Sequence, residues 1–291
     1  MTILISAEQL ADELSVRDDI RVIDVRWSLG GPPGLGEYLR GHIPAAAYAD
    51  LDTELALHGE PTDGRHPLPT REQLQAAARR WGVNDGDTVV VYDGQGNFAA
   101  ARAWWLLTDA GVSDVRLLDG ALPAWVAAGF PLSDGPEQIS AGSITLSSGR
   151  MPVLDADAAA DTAVTGVLLD ARAGARYRGE TEPIDPRAGH IPGARSAPTT
   201  ENVDADGRFL PPDVLRARFE ALGAGGGEPA KVGVYCGSGV TAAHAAVALT
   251  LAGYQPVLYP GSWSQWSNLP DRPVETGVTP ERAPSDRPQP G

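Results

Sequence analysis

Sulfur chemistry is scarce in this chain: 291 residues hold one cysteine, Cys236. A solitary cysteine excludes an intramolecular disulfide framework and a cysteine-based zinc cluster. Long apolar runs are missing too. The richest window, residues 241–253 (TAAHAAVALTLAG), falls short of the about 20 residues needed to span a bilayer. The opening MTILISAEQL has no basic stretch ahead of an apolar core, as a secretory signal would. Basic charge is in deficit, with 23 Lys and Arg against 38 Asp and Glu and a net charge of -15. Such a surface repels phosphate backbones and anionic lipid, so nucleic-acid and membrane partners are not expected. What is present, 42% apolar and 21% charged residues, suffices for packed cores and excludes wholesale disorder. The expectation is a soluble, cytoplasmic protein of two domains.

The chain repeats itself. VIDVR (22–26), RGHIPAA (40–46), VVVYDGQG (89–96) and LLDGALPAW (117–125) are answered in the same order. Their counterparts are LLDAR (168–172), AGHIPGA (188–194), VGVYCGSG (232–239) and LYPGSWSQW (258–266). Matched positions lie between 141 residues apart (Trp125 to Trp266) and 148 apart (His42 to His190). Four ordered matches point to one duplicated domain. The resulting division is 1–132 for the first copy, a Gly-, Ser- and Pro-rich linker over 133–152, and 153–278 for the second. The proline-rich end, 279–291, is expected to be a disordered tail.

Within each copy, short apolar strands alternate with helical patterns, which predicts an α/β fold with a mainly parallel sheet covered on both faces. Ser6 and Gln9 form a capping box for the helix AEQLADEL. TREQLQAAARRWG and ARAWWLLTDAG are helices closed by glycine, around the buried strand DTVVVY. The second copy offers the strand VTGVLLDAR, the helix PPDVLRARFEALG, the strand KVGVY and the helix TAAHAAVALTLAGY.

Cys236 follows the strand KVGVY, and a helix is expected near Thr241. Ligands of open α/β sheets gather beyond the carboxyl ends of strands. Gly237, Ser238 and Gly239 allow a tight turn whose N–H groups, with the helix N-terminus, favour negative charge on the enclosed sulfur. Reactive cysteines occupy such turns, whereas a merely packed cysteine needs no glycine-rich nest. At the matched position the first copy has Asp93, which cannot serve as a sulfur nucleophile, so that copy is expected to be chemically silent.

GHIPGA, CGSGVT and GSWSQW together resemble the tandem-domain rhodanese-type sulfurtransferases, with an inactive first and an active second domain. The resemblance runs from residue 4 to about 275. The CGSGVT loop resembles the 3-mercaptopyruvate branch, because no basic residue stands between Cys236 and Thr241. The resemblance implies a Cys236 persulfide held by Gly237, Gly239, Val240 and Thr241, and no cofactor or metal. It also implies donor-carboxylate binding by Arg176 and Arg187, since a guanidinium fork suits a carboxylate. Asp52 and His66 resemble the acid and histidine that meet a loop serine, here Ser238, which requires the first domain to reach across to the second. His42 and His190 occur in both copies and read as turn formers. His244 reads as a packing residue.

Implied partners are a small sulfur donor and an external acceptor: a small thiol, cyanide, or a reduced dithiol protein of thioredoxin-like kind. A second cysteine that could resolve the persulfide internally is lacking. Three alternatives share parts of this pattern. A thiosulfate sulfurtransferase would use the same persulfide, and a non-enzymatic sulfur carrier the same loop. A cysteine phosphatase or arsenate reductase would need an arginine six residues after the cysteine, where Ala242 stands.

Overall fold

The computed structural model describes residues 2–147, 149–225 and 231–278. The tail anticipated over 279–291 lies outside them. In the first half, strands β1 (Leu4–Ile5), β2 (Ile20–Asp24), β3 (Ala47–Tyr48), β4 (Thr88–Tyr92) and β5 (Asp114–Leu118) form one sheet. Its order is β1-β5-β4-β2-β3 and every pairing is parallel. The second half carries β6 (Leu168–Asp170), β7 (Arg195–Ser196), β8 (Lys231–Tyr235) and β9 (Gln255–Leu258), ordered β7-β6-β8-β9 and again parallel. The strand that would match β1 shrinks to a single parallel bridge, Val153 to Leu258. β4 is buried throughout, and helices pack on both faces of each sheet.

Local chemistry explains the elements. The helix Ala7–Val16 starts at the Ser6–Gln9 capping box, and Arg71–Arg80 starts at a second one, Thr70 with Gln73. One expectation is corrected: Val164 and Thr165 do not begin a strand but end the helix Ala156–Thr165. That segment holds five alanines behind an Asp155 N-cap, and helix propensity prevails until Gly166.

The internal repeat has a physical basis. Buried Asp24 and Asp170 each hold an arginine two residues on, Arg26 and Arg172, by a carboxylate–guanidinium fork. Each arginine then donates to the glycine carbonyl that opens the His-Ile-Pro turn, Gly41 or Gly189. The next isoleucine amide, Ile43 or Ile191, donates to the hydroxyl of the tyrosine ending the central strand, Tyr92 or Tyr235. His42 and His190 lie against Tyr38 and Tyr177, with ring centroids 4.0 and 3.8 Å apart, and each Nδ1 meets that tyrosine's carbonyl. Two identical turns result.

Among the described residues, the segment joining the halves has no regular element but is laced to the first. Ile144 and Leu146 are buried there, and the amides of Gly142, Ile144 and Ser147 donate to Arg79, Val83 and Ala110. The helices Ala100–Asp109 and Val240–Leu251, one from each half, pack against each other. Among the described residues no helix is long and apolar enough to cross a membrane.

Candidate active site

β8 delivers Cys236 to the carboxyl edge of the second sheet, and the helix Val240–Leu251 leaves it four residues later. Gly239 makes the turn at φ +80°, and a β-carbon there would stand 2.4 Å from the Pro260 carbonyl oxygen. Only glycine fits such a position. Its N–H donates to Cys236 Sγ at 3.2 Å. The segment after β9 braces the loop from beneath: Trp263 N donates to Cys236 O, Ser264 N to Gly237 O, and Cys236 N to Ser262 Oγ. Cys236 is 1% exposed, within the apolar core that runs through both halves. Val240 is buried beside it, and Thr241 faces a cleft shared with Trp27 and Asp93.

The first domain does reach this loop. Gly64, at φ +88°, lies so close to the second domain that a β-carbon would come within 2.9 Å of Gly261 O. Arg65 N donates to Ser264 Oγ, and Gln265 Nε2 to Thr62 O. His66 thereby stands with Nδ1 2.7 Å from Ser238 Oγ and Nε2 3.3 Å from Asp52 Oδ1. A carboxylate only accepts, so Nε2 carries the proton and Nδ1 accepts from the serine hydroxyl. Trp27 Nε1 donates to the same Asp52 oxygen, and its ring meets His66 edge-on at 5.4 Å. Burial, reinforced by the Arg102 cation and opposed by Asp52, pushes the His66 imidazole down to about 4. At neutral pH the ring is uncharged.

The two arginines of the second domain fare differently. Arg176, on the short helix Gly174–Tyr177, gives Nε and Nη2 to Glu182 and Nη2 also to Asp185 at 3.1 Å. Its Nη1 is the atom nearest the loop, 3.4 Å from where a Gly237 β-carbon would be. Arg187 does not present an open fork. Its guanidinium donates to the carbonyls of Trp266, Ser267, Leu269 and Arg272, sealing the end of the helix Ser262–Asn268.

Three features escaped the sequence. Arg65 pairs with Asp185 and lies against Gly237 beside Arg176. Arg102 is wholly buried and donates to Leu55 O, Gly239 O, His66 O and Pro67 O, tying the histidine segment to the cysteine loop. Burial lowers its guanidinium to about 10, opposed by attraction to Cys236, and it stays cationic at neutral pH. The signal was present: a lone arginine inside the apolar run AARAWWLL. Third, Asp93 fills its own loop. Its buried carboxylate accepts the N–H groups of Gln95, Asn97, Ala99 and Ala100 at 2.8–3.2 Å, while burial pushes it up to about 6 against those bonds. An internal anion sits where the second domain holds its sulfur. His244 packs between Phe98 and Phe209, its Nδ1 2.7 Å from Thr199 Oγ1.

Comparison with known proteins sets this geometry in a family. The model of the rhodanese-like domain matches twice, at residues 6–128 and 154–269. A Pseudomonas aeruginosa protein provisionally named 3-mercaptopyruvate sulfurtransferase is 48% identical, over 94% of this chain and 98% of its own. A Mycobacterium tuberculosis protein, provisionally named thiosulfate sulfurtransferase SseB, is 44% identical over 95% of this chain and 98% of its own. The crystal structure of SseA from Escherichia coli, described as a 3-mercaptopyruvate sulfotransferase, superposes with a TM-score of 0.79. It is 34% identical and covers 90% of this chain and 99% of that one.

Proposed function

The chain belongs to the rhodanese-like domain family and is a sulfurtransferase of the 3-mercaptopyruvate or thiosulfate type, and from that premise we propose 3-mercaptopyruvate as the donor and Cys236 as the sulfur carrier. The Cys236 thiolate attacks the donor's sulfur; the C–S bond breaks and its electron pair leaves on the pyruvate enolate. Uncharged His66, anchored through Nε2–H on Asp52, draws the donor's thiol proton through Ser238 and returns it to the enolate carbon, giving pyruvate. The persulfide anion left on Cys236 rests on the Gly239 amide in a loop shaped by Gly237, Val240 and Thr241. Arg176 orients the donor's carboxylate.

The observation that carries this reading is the hydrogen-bonded chain Asp52–His66–Ser238, which brings a proton relay from one domain to the only cysteine loop of the other. An external thiol, cyanide or a thioredoxin-like dithiol protein then removes the outer sulfur, because no second cysteine exists to do so. A reducing cytoplasm suits a lone working thiol. Thiosulfate is the second reading. Two guanidiniums beside Gly237 also suit a dianion, and the Mycobacterium relative bears that name.

The deciding experiment is a donor panel with cyanide as acceptor, run beside Cys236→Ser. Preferential turnover of 3-mercaptopyruvate is expected, with a persulfide adduct of about 32 Da, one sulfur atom, that the variant lacks. Strong preference for thiosulfate would reverse the donor assignment. A thiol inert to iodoacetamide, or activity surviving in the variant, would end the role of Cys236.

A further inference from the structure

We propose that Arg65, supplied by the first domain, is the second guanidinium that grips the donor's carboxylate, acting with Arg176 across Gly237 and set in place by Asp185. Two cations converge on the residue that follows the cysteine. A β-carbon built on Gly237 would lie 3.1 Å from Arg65 Nη2 and 3.4 Å from Arg176 Nη1. Each guanidinium is tethered along one edge only. Asp185 takes Arg65 Nη1 on one oxygen and Arg176 Nη2 on the other, and Glu182 takes Nε and Nη2 of Arg176. Arg65 Nη2 and Arg176 Nη1 are the guanidinium atoms nearest Gly237.

Arg65 Nε and Nη2 are buried and have no acceptor among the described residues. Donors left in that state are costly unless a ligand completes them, and a carboxylate offers two oxygens in the matching plane. Arg187, by contrast, spends its donors on four carbonyls. The first domain thus contributes charge as well as a proton relay, and Asp185 acts as the positioning residue that orients both forks.

This inference rests on the reading of a carboxylate-bearing donor at Cys236, and the test separates the two. kcat and KM of the wild type, Arg65→Gln and Arg65→Lys are measured with 3-mercaptopyruvate and with its uncharged methyl ester. The rates at which iodoacetate and iodoacetamide alkylate Cys236 are measured alongside. Loss of a charge-assisted fork should lower kcat/KM for the acid in Arg65→Gln by about 10- to 100-fold, mainly through KM. The ester should change by less than about twofold, and the iodoacetate-to-iodoacetamide rate ratio should fall several-fold. Arg65→Lys should fall between, because a point charge cannot fork. Equal losses for acid and ester, or an unchanged alkylation ratio, would overturn the role of Arg65. If the wild type turns over neither donor, the donor assignment fails, and the alkylation ratio alone still decides for or against the grip.

Discussion

Arg102, on a helix of the first domain, donates from Nη1 to the carbonyl oxygen of Gly239 in the cysteine loop of the second, 3.2 Å away. The same side chain holds His66 O at 2.9 Å, so one cation fixes both partners of the serine–histidine contact. Arg102→Met should strand these buried carbonyls, cost about 3 kcal/mol of stability and depress kcat more than about 10-fold. Chemical denaturation and initial rates measure both. Wild-type stability and rate in the variant would show that the bridge is idle.

His66 should shape the acid limb of the rate profile. Its imidazole is pushed down to about 4, so the uncharged form persists from pH 7 to about 5. The limb governed by this ring should fall only through about pH 4, not near the ordinary value of 6.5. Replacing it by glutamine should lower kcat about 100-fold. Stability carries the same sign. Between pH 6.5 and about 4 the unfolded chain takes up a proton that folded His66 refuses, so stability falls as pH drops through that window. Melting temperatures across those pH values, compared with the glutamine variant, isolate the contribution.

Asp93→Asn keeps the shape of the first-domain loop but turns an amide NH2 toward two of the four N–H donors. A loss of about 2 kcal/mol is expected. Turnover by the folded protein should change by less than about twofold, as for sites without shared partners. A large fall in kcat at unchanged stability would give the first loop a part in the chemistry.

Arg187→Ala and Arg176→Gln should separate framework from site. The first strips a helix end of its cap and should lower stability by about 2–3 kcal/mol with KM little altered. The second should raise KM for 3-mercaptopyruvate about 10-fold. Because it leaves the buried carboxylates of Glu182 and Asp185 short of a cation, it should also lower the melting temperature, so that KM is the readout that distinguishes the two variants. The reverse pattern would restore Arg187 to the donor site.

The fold was legible because its signals are local and periodic. Apolar strands, the capping box at Ser6 and the glycines that close helices each act within a few residues. The turn of Gly237–Gly239 after a buried strand marked Cys236 for the same reason. What depends on the meeting of the two sheets was harder to read. Arg102 looks like a misplaced charge until the other domain's loop lies over it. Arg65 sits in GRHPLP without a pattern, and only the approach of Gly64 to Gly261 brings it to Gly237. Arg187 misled because the stretch ETEPIDPR between it and Arg176 folds back, and Asp185 reaches the cluster in its place. The strand start at Val164 failed because alanine-rich local propensity ran on to Gly166.

Asp52, Arg65, His66 and Arg102 all belong to the half that has no thiol, and the linker is sewn to that half through the amides of Gly142, Ile144, Leu146, Ser147, Arg150 and Met151. The proposed centre is therefore a property of the docked pair and would vanish on separation even when both sheets survive. One apolar cluster runs through both halves, so on warming activity should be lost with the joint melting of the pair rather than ahead of it.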